Sequence, residues 1–158
     1  LIIFFQSRNS KVYRDKKLKL LKYNLVGLLP GGNNIYTNID NHTIFSDFNN
    51  IIDKYSINNF TIVPGFAGYW PASDFRIPLS ADSIQRYDVA IGHLHERVKA
   101  DITKLINEGG IVILQKYDGR LISKQKNPIT RFSYYPIVLF IKNNFFKKMD
   151  TKYFEIYA

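Results

Sequence analysis

The sequence predicts an α/β fold: a mainly parallel sheet with helices on both faces, a three-layer, Rossmann-like sandwich without a nucleotide fingerprint. Three observations predict it. Short apolar runs rich in β-branched residues stand at 60–63 (FTIV) and 111–116 (IVILQK). Segments with helical apolar spacing stand around and between them. Glycine and proline clusters punctuate the joins. Strands that alternate with helices suggest βαβ units, whose crossovers place helices on both faces of a sheet.

The chain opens LIIFFQSRNSKVYRDKKLKLLK. Five apolar residues are too few to cross a bilayer, which takes about 20, but they suit the trailing end of a span begun upstream. Arg8, Lys11, Arg14, Lys16 and Lys17 follow, then Lys19 and Lys22. An apolar end with a basic flank is the pattern of a juxtamembrane segment. A buried strand followed by a solvated basic helix over 11–22 accounts for the same residues. We therefore expect 1–22 to be the end of a span with its basic flank, and 23–158 to be a single α/β domain. No complete span or signal peptide is present in the sequence.

LVGLLPGG, 25–32, ends in a strong breaker. NIYTNI, 34–39, alternates as a strand does. DNHTIFSDFNNIIDKYS has apolar residues at 44, 45, 48, 51, 52 and 55, a helical spacing, with Thr43 or Asn41 expected at the cap. Strand 60–63 follows, then an aromatic loop to residue 80 and a short strand near 86–92. HLHERVKADITKLINEGG reads as a helix through Leu94, Val98, Ile102, Leu105 and Ile106, closed by Gly109-Gly110. After strand 111–116 comes a polar connection with a turn at Asp118-Gly119. Pro136 suits a first helical turn, and KYFEIYA ends the chain as a strand.

The net charge is +9 and the isoelectric point about 9.6. Such a field favours anionic partners: nucleic acid, an acidic polymer or a membrane surface. With no cysteine among 158 residues, disulfides, cysteine-ligated zinc and thiol nucleophiles are excluded. GLLPGGNN, 27–34, has neither the three spaced glycines of a dinucleotide site nor the Gly-Lys-Ser/Thr of a phosphate loop, and reads as a turn. His93 and His95 stand two apart, where a helix points them away from each other, and Glu96 suits the positive end of the helix dipole. Asp74, Asp82, Asp88, Glu96 and Asp101 show no spacing that pairs two carboxylates for acid–base work. No catalytic residue, metal ligand or cofactor is assigned. Lys and Arg cluster at 8–22, 116–131 and 142–152, without the aromatics or spacings of a nucleic-acid motif. Two glycosylation sequons, Asn41-His42-Thr43 and Asn59-Phe60-Thr61, matter only in a glycosylating host.

The loop VPGFAGYWPASDFRIPLS, 63–80, carries the candidate ligand-binding residues Tyr69, Trp70, Asp74 and Arg76. Tyr69 and Trp70 offer flat apolar faces with a polar edge. Asp74 and Arg76 suit hydroxyls or a phosphate. Pro64, Pro71 and Pro78 restrict the loop. On the simpler account Trp70 and Phe75 cover an edge of the core, and Asp74–Arg76 is a surface contact.

Taken together, NNIYTNIDNHTIFSDFNNIIDKY, FTIVPGFAGYWPASDFRIPLS, IVILQK and PIVLFIKNNFFKKMDTKYFEIYA resemble the C-terminal soluble region of GT-C-type glycosyltransferases that use polyprenyl-phosphate-linked sugars, of the mannosyltransferase and arabinosyltransferase kind. The resemblance covers roughly residues 24–157, and its motifs are structural rather than catalytic. It implies a domain on the extracytoplasmic side of the cell membrane, attached to the rest of a polytopic membrane protein. Such a domain would help position an acceptor or a lipid-linked donor and would face glycan or anionic lipid headgroups. The family's catalytic carboxylate lies in an early loop with no counterpart here, so the isolated domain is expected to be inactive. Two rivals stand beside this reading: a soluble basic nucleic-acid-binding module, ranked below it, and a small α/β enzyme with an unrecognised site.

Overall fold

The computed structural model describes residues 18–55, 59–65, 69, 75–81, 84, 89, 91–116 and 135–158. A 3-10 turn, Leu18–Leu20, leads into a two-stranded antiparallel hairpin of β1 (Tyr23–Asn24) and β2 (Tyr36–Thr37). Helix α1 (Ile39–Tyr55) follows, then β3 (Phe60–Val63), α2 (His93–Asn107), β4 (Ile111–Gln115), α3 (Pro136–Asn144), β5 (Lys147–Asp150) and β6 (Phe154–Tyr157). The main sheet has the order β3-β4-β6-β5.

That order overturns the expected mainly parallel, Rossmann-like sandwich. Among the described residues β3 and β4 are the one parallel pair in the sheet, with Phe60 opposite Ile111 and Val63 opposite Leu114. β6 runs antiparallel to both β4 and β5. β5 is the physical reason. It lies between α3 and the terminal strand and reverses the chain once more, so β6 enters beside β4 in the opposite sense. Its sequence, KKMD, has no apolar alternation to announce it, and three of its four side chains are exposed. Lysines and a bulge between Lys147 and Met149 are common features of an edge strand, where they discourage pairing with other chains.

Period-two alternation sends the strand side chains to two faces. Phe60, Ile62, Ile113, Phe154 and Ile156 pack with Ile44, Phe48 and Ile51 of α1. Val63, Val112, Leu114 and Tyr157 pack with Val98, Ile102 and Leu105 of α2 and Ile137, Val138 and Ile141 of α3. Each fully buried side chain of this size contributes about 1.5–3 kcal/mol relative to exposure. Both sets are interleaved along the same strands, so the sheet is the shared floor of two cores.

The helix ends follow local chemistry. Asn38, rather than Thr43 or Asn41, caps α1: its Oδ1 accepts the backbone N–H groups of Asp40 at 3.0 Å and Asn41 at 3.1 Å. α2 closes where expected. Gly109 adopts φ +80°, and the N–H groups of Gly109 and Gly110 bond back to Ile106 and Leu105. Pro136 opens α3. The turn between β5 and β6 is tied to α1, because Asp47 Oδ2 accepts from Thr151 Oγ1 at 2.7 Å and from the Tyr153 N–H at 3.2 Å. Of the basic segment expected as a helix, 18–20 form a single 3-10 turn and 11–17 lie outside the described residues. The strand expected at 34–39 is paired only at 36–37. The one expected at 86–92 and the turn at 118–119 fall mainly or wholly outside the described residues. Among the described residues no helix is long and apolar enough to cross a membrane.

Candidate functional site

The glycine-rich turn between β1 and β2 folds back on α1 and encloses a cleft. Its folding is local. Asn24 Oδ1 accepts the Val26 N–H at 2.8 Å, and the N–H groups of Leu28 and Leu29 both donate to the Leu25 carbonyl. Leu25 N–H then closes the base by donating to Ile35 O at 2.9 Å. Gly32 is required by close approach: a Cβ there would lie 2.7 Å from the Leu29 carbonyl oxygen and nearer still to that of Leu25. Backbone oxygens so placed cannot swing aside as a side chain would.

One side chain fastens this turn to the helix. Asn49 Nδ2 donates to the carbonyl oxygens of Gly27 at 3.1 Å and Leu28 at 3.0 Å. Asp53 stands one turn further along α1, on the same face. The cleft measures about 460 Å³. Leu28, Leu29, Pro30 and Ile52 make one part of its wall apolar. Asn33, Asn49, Asp53 and Tyr69 supply hydrogen-bonding groups to the rest. Tyr69 is 5% exposed, its ring edge-on to Phe48 at 5.0 Å. Burial first, and the charge of Asp53 second, raise its hydroxyl above the ordinary tyrosine range. It therefore stays a neutral hydroxyl at any physiological pH.

The four loop residues expected to bind ligand do not share one fate. Tyr69 lines the cleft, though most of its ring belongs to the core. Arg76 is exposed. Trp70 and Asp74 lie outside the described residues, as do the basic residues Arg8, Lys11, Arg14, Lys16 and Lys17. Phe75 packs edge-on against Phe60 at 5.1 Å, which is the core-covering role the simpler account gave it. The loop's return is pinned to α2, where Asp101 Oδ2 accepts from both the backbone N–H and the hydroxyl of Ser80.

His93 is exposed at the start of α2, while His95 is half-buried, with its Nδ1 3.1 Å from the Val89 carbonyl oxygen. Since a carbonyl only accepts, Nδ1 carries the proton and His95 serves to hold the loop before α2. Among the described residues no three His, Cys, Asp or Glu side chains gather to hold a metal ion.

No protein-family model matches the chain, nor does any curated protein or solved structure. The candidate site rests on the chain's own residues. Asn33, Asn49 and Asp53 escaped the sequence reading because no motif links them. The i, i+4 spacing of Asn49 and Asp53 was the one local signal, and any polar helix face carries such pairs.

Proposed function

We propose that this chain is a noncatalytic extracytoplasmic domain of a membrane glycosyltransferase, and that the cleft holds part of a sugar acceptor or of a lipid-linked sugar donor. The observation that carries the reading is the mixed lining of the cleft. A sugar ring presents apolar C–H faces and a rim of hydroxyls. Leu28, Leu29 and Ile52 suit the faces, while Asn33, Asn49, Asp53 and the Tyr69 hydroxyl suit the rim. A volume of about 460 Å³ lies within the range of small-ligand sites, roughly 300–1,000 Å³.

Among the described residues Asp53 is the one carboxylate of the cleft lining. The resemblance of the segment order supplies the membrane parent and the side of the membrane.

Two measurements test the proposal. The first is an NMR titration with neutral oligosaccharides and a short-chain polyprenyl-phosphate sugar. Shifts should concentrate on residues 27–33, Asn49 and Asp53, and should vanish in Asp53→Ala with its fold intact. Shifts absent there, or spread over the surface, overturn the sugar role. The second is an immunoblot of fractionated source cells. A membrane-bound band well above 18.4 kDa supports the parent enzyme, and a soluble band near 18.4 kDa removes it.

A further inference from the structure

The α1 wall of the cleft accepts hydrogen bonds rather than donating them. Both amide hydrogens of Asn49 are spent on the carbonyl oxygens of Gly27 and Leu28, so Oδ1 is what this side chain has left for a ligand. Asp53, four residues on, is exposed, and an ionised carboxylate only accepts. The facing turn keeps several of its N–H groups to itself. Those of Leu28, Leu29 and Gly32 bond inward to the Leu25 and Leu29 carbonyls, and Pro30 has none to give. Among the described residues of the lining there is no lysine or arginine, and Asp53 carries the charge. That charge reaches across the cleft, since after burial it is what raises the Tyr69 hydroxyl.

A ligand that suits such a wall must donate hydrogen bonds and must not bring negative charge. A sugar hydroxyl meets both conditions. A phosphate ester fails both: near pH 7 it carries about 1.5–2 negative charges and meets the wall with acceptor oxygens. The cleft thus runs against the net charge of +9, whose field draws anions toward the chain as a whole. We infer that the cleft selects an uncharged sugar and rejects a sugar phosphate, with Asp53 as the specificity-determining residue. Its occupant is the hydroxyl-rich end of a glycan acceptor, and the phosphate of a lipid-linked donor stays outside. This selectivity rests on the sugar-binding reading above and narrows it from two kinds of ligand to one.

Paired NMR titrations of the 158-residue chain test it, near neutral pH and in buffer freed of metal ions. A panel of neutral mono- and disaccharides is added first. Each sugar that shifts residues 27–33, Asn49 and Asp53 is then compared with its own phosphate, and inorganic phosphate is added alone. The neutral sugar should bind more tightly than its phosphate by on the order of tenfold, the size of a like-charge contact at an exposed site. Inorganic phosphate should leave 27–33 unmoved. Asp53→Asn keeps the shape of the side chain and removes its charge, so the ratio of the two dissociation constants should fall below about threefold. That ratio is read within one variant, so a general loss of affinity does not imitate the result. Glu108→Gln removes an equal charge from the exposed end of α2 and should leave the ratio as it was.

A sugar phosphate that binds as tightly as its neutral parent overturns the selectivity and leaves sugar binding standing. So does inorganic phosphate that shifts 27–33 and Asp53. An unchanged ratio in Asp53→Asn, or an equal fall in Glu108→Gln, removes Asp53 from the role. Calcium chloride added alone, if it shifts Asn49 and Asp53, assigns the accepting oxygens to a cation instead. No shift from any neutral sugar overturns the sugar-binding reading, and this inference with it.

Discussion

Removing the Asn49 amide should release the glycine-rich turn from α1. Asn49→Ala deletes two hydrogen bonds, to Gly27 O at 3.1 Å and Leu28 O at 3.0 Å. A neutral intramolecular hydrogen bond is worth about 0.5–1.5 kcal/mol net. The bond to Gly27 is exposed, that to Leu28 only partly buried, and water can satisfy both carbonyls once the amide is gone. The low part of the range therefore applies, and the pair amounts to about 1–2 kcal/mol. For a domain of this size each kcal/mol lowers Tm by about 2–4 °C, so a fall of about 2–8 °C is expected. Scanning calorimetry reads it, and amide exchange at 25–35 shows whether the loss is local. Asn49→Asp sharpens the test. It keeps the shape but turns two accepting oxygens toward two carbonyls, so at neutral pH it should be at least as damaging as alanine. Acidification should restore part of the loss as the carboxyl gains a proton to donate. If Asn49→Ala leaves Tm and exchange at 25–35 unchanged, or if Asn49→Asp is as stable as the parent at neutral pH, this amide does not hold the turn.

Phe48 is fully buried between Phe60, Tyr69 and Phe154, and Phe48→Ala should cost about 3–5 kcal/mol by urea denaturation. Gly32→Ala forces a Cβ against two backbone carbonyls and should destabilise by about 1–3 kcal/mol, with the loss of turn 25–35 visible by amide exchange. Tyr157 titrates above the ordinary tyrosine range because burial, then the Glu155 charge and hydrogen bond, oppose its ionisation. A raised folded pKa contributes stability that is full below the unfolded value near 10 and is lost as pH climbs past it. Urea denaturation against pH should therefore show an alkaline loss beginning near pH 10 that is flatter in Tyr157→Phe.

Much of the fold was legible in the sequence, and the pattern of failure is physical. Helix α2 declared itself through Val98, Ile102 and Leu105, which are buried as their spacing required. The strands FTIV and IVILQ were legible because helices cover both faces of the sheet there, so their side chains are buried on both sides and mostly apolar. β5 was not, because an edge strand is held by its partner's backbone and needs no apolar side chains of its own. Once β5 was missed, the direction of β6 was missed with it. For the candidate site, Tyr69 was singled out from its loop, yet the cleft it lines is mostly built by Gly27–Asn33 and by one polar face of α1.

Local spacing and turn chemistry are encoded within a few residues, so the sequence by itself determined helices α1 and α2, the buried strands β3 and β4, and that cysteine chemistry is absent. Pairing partners are set by contacts across tens of residues. Only the tertiary structure decided that β6 lies antiparallel beside β4 and that Asn49 bridges 21 residues to Leu28. Periodicity states which side of an element is buried, and it is silent on what that side is buried against.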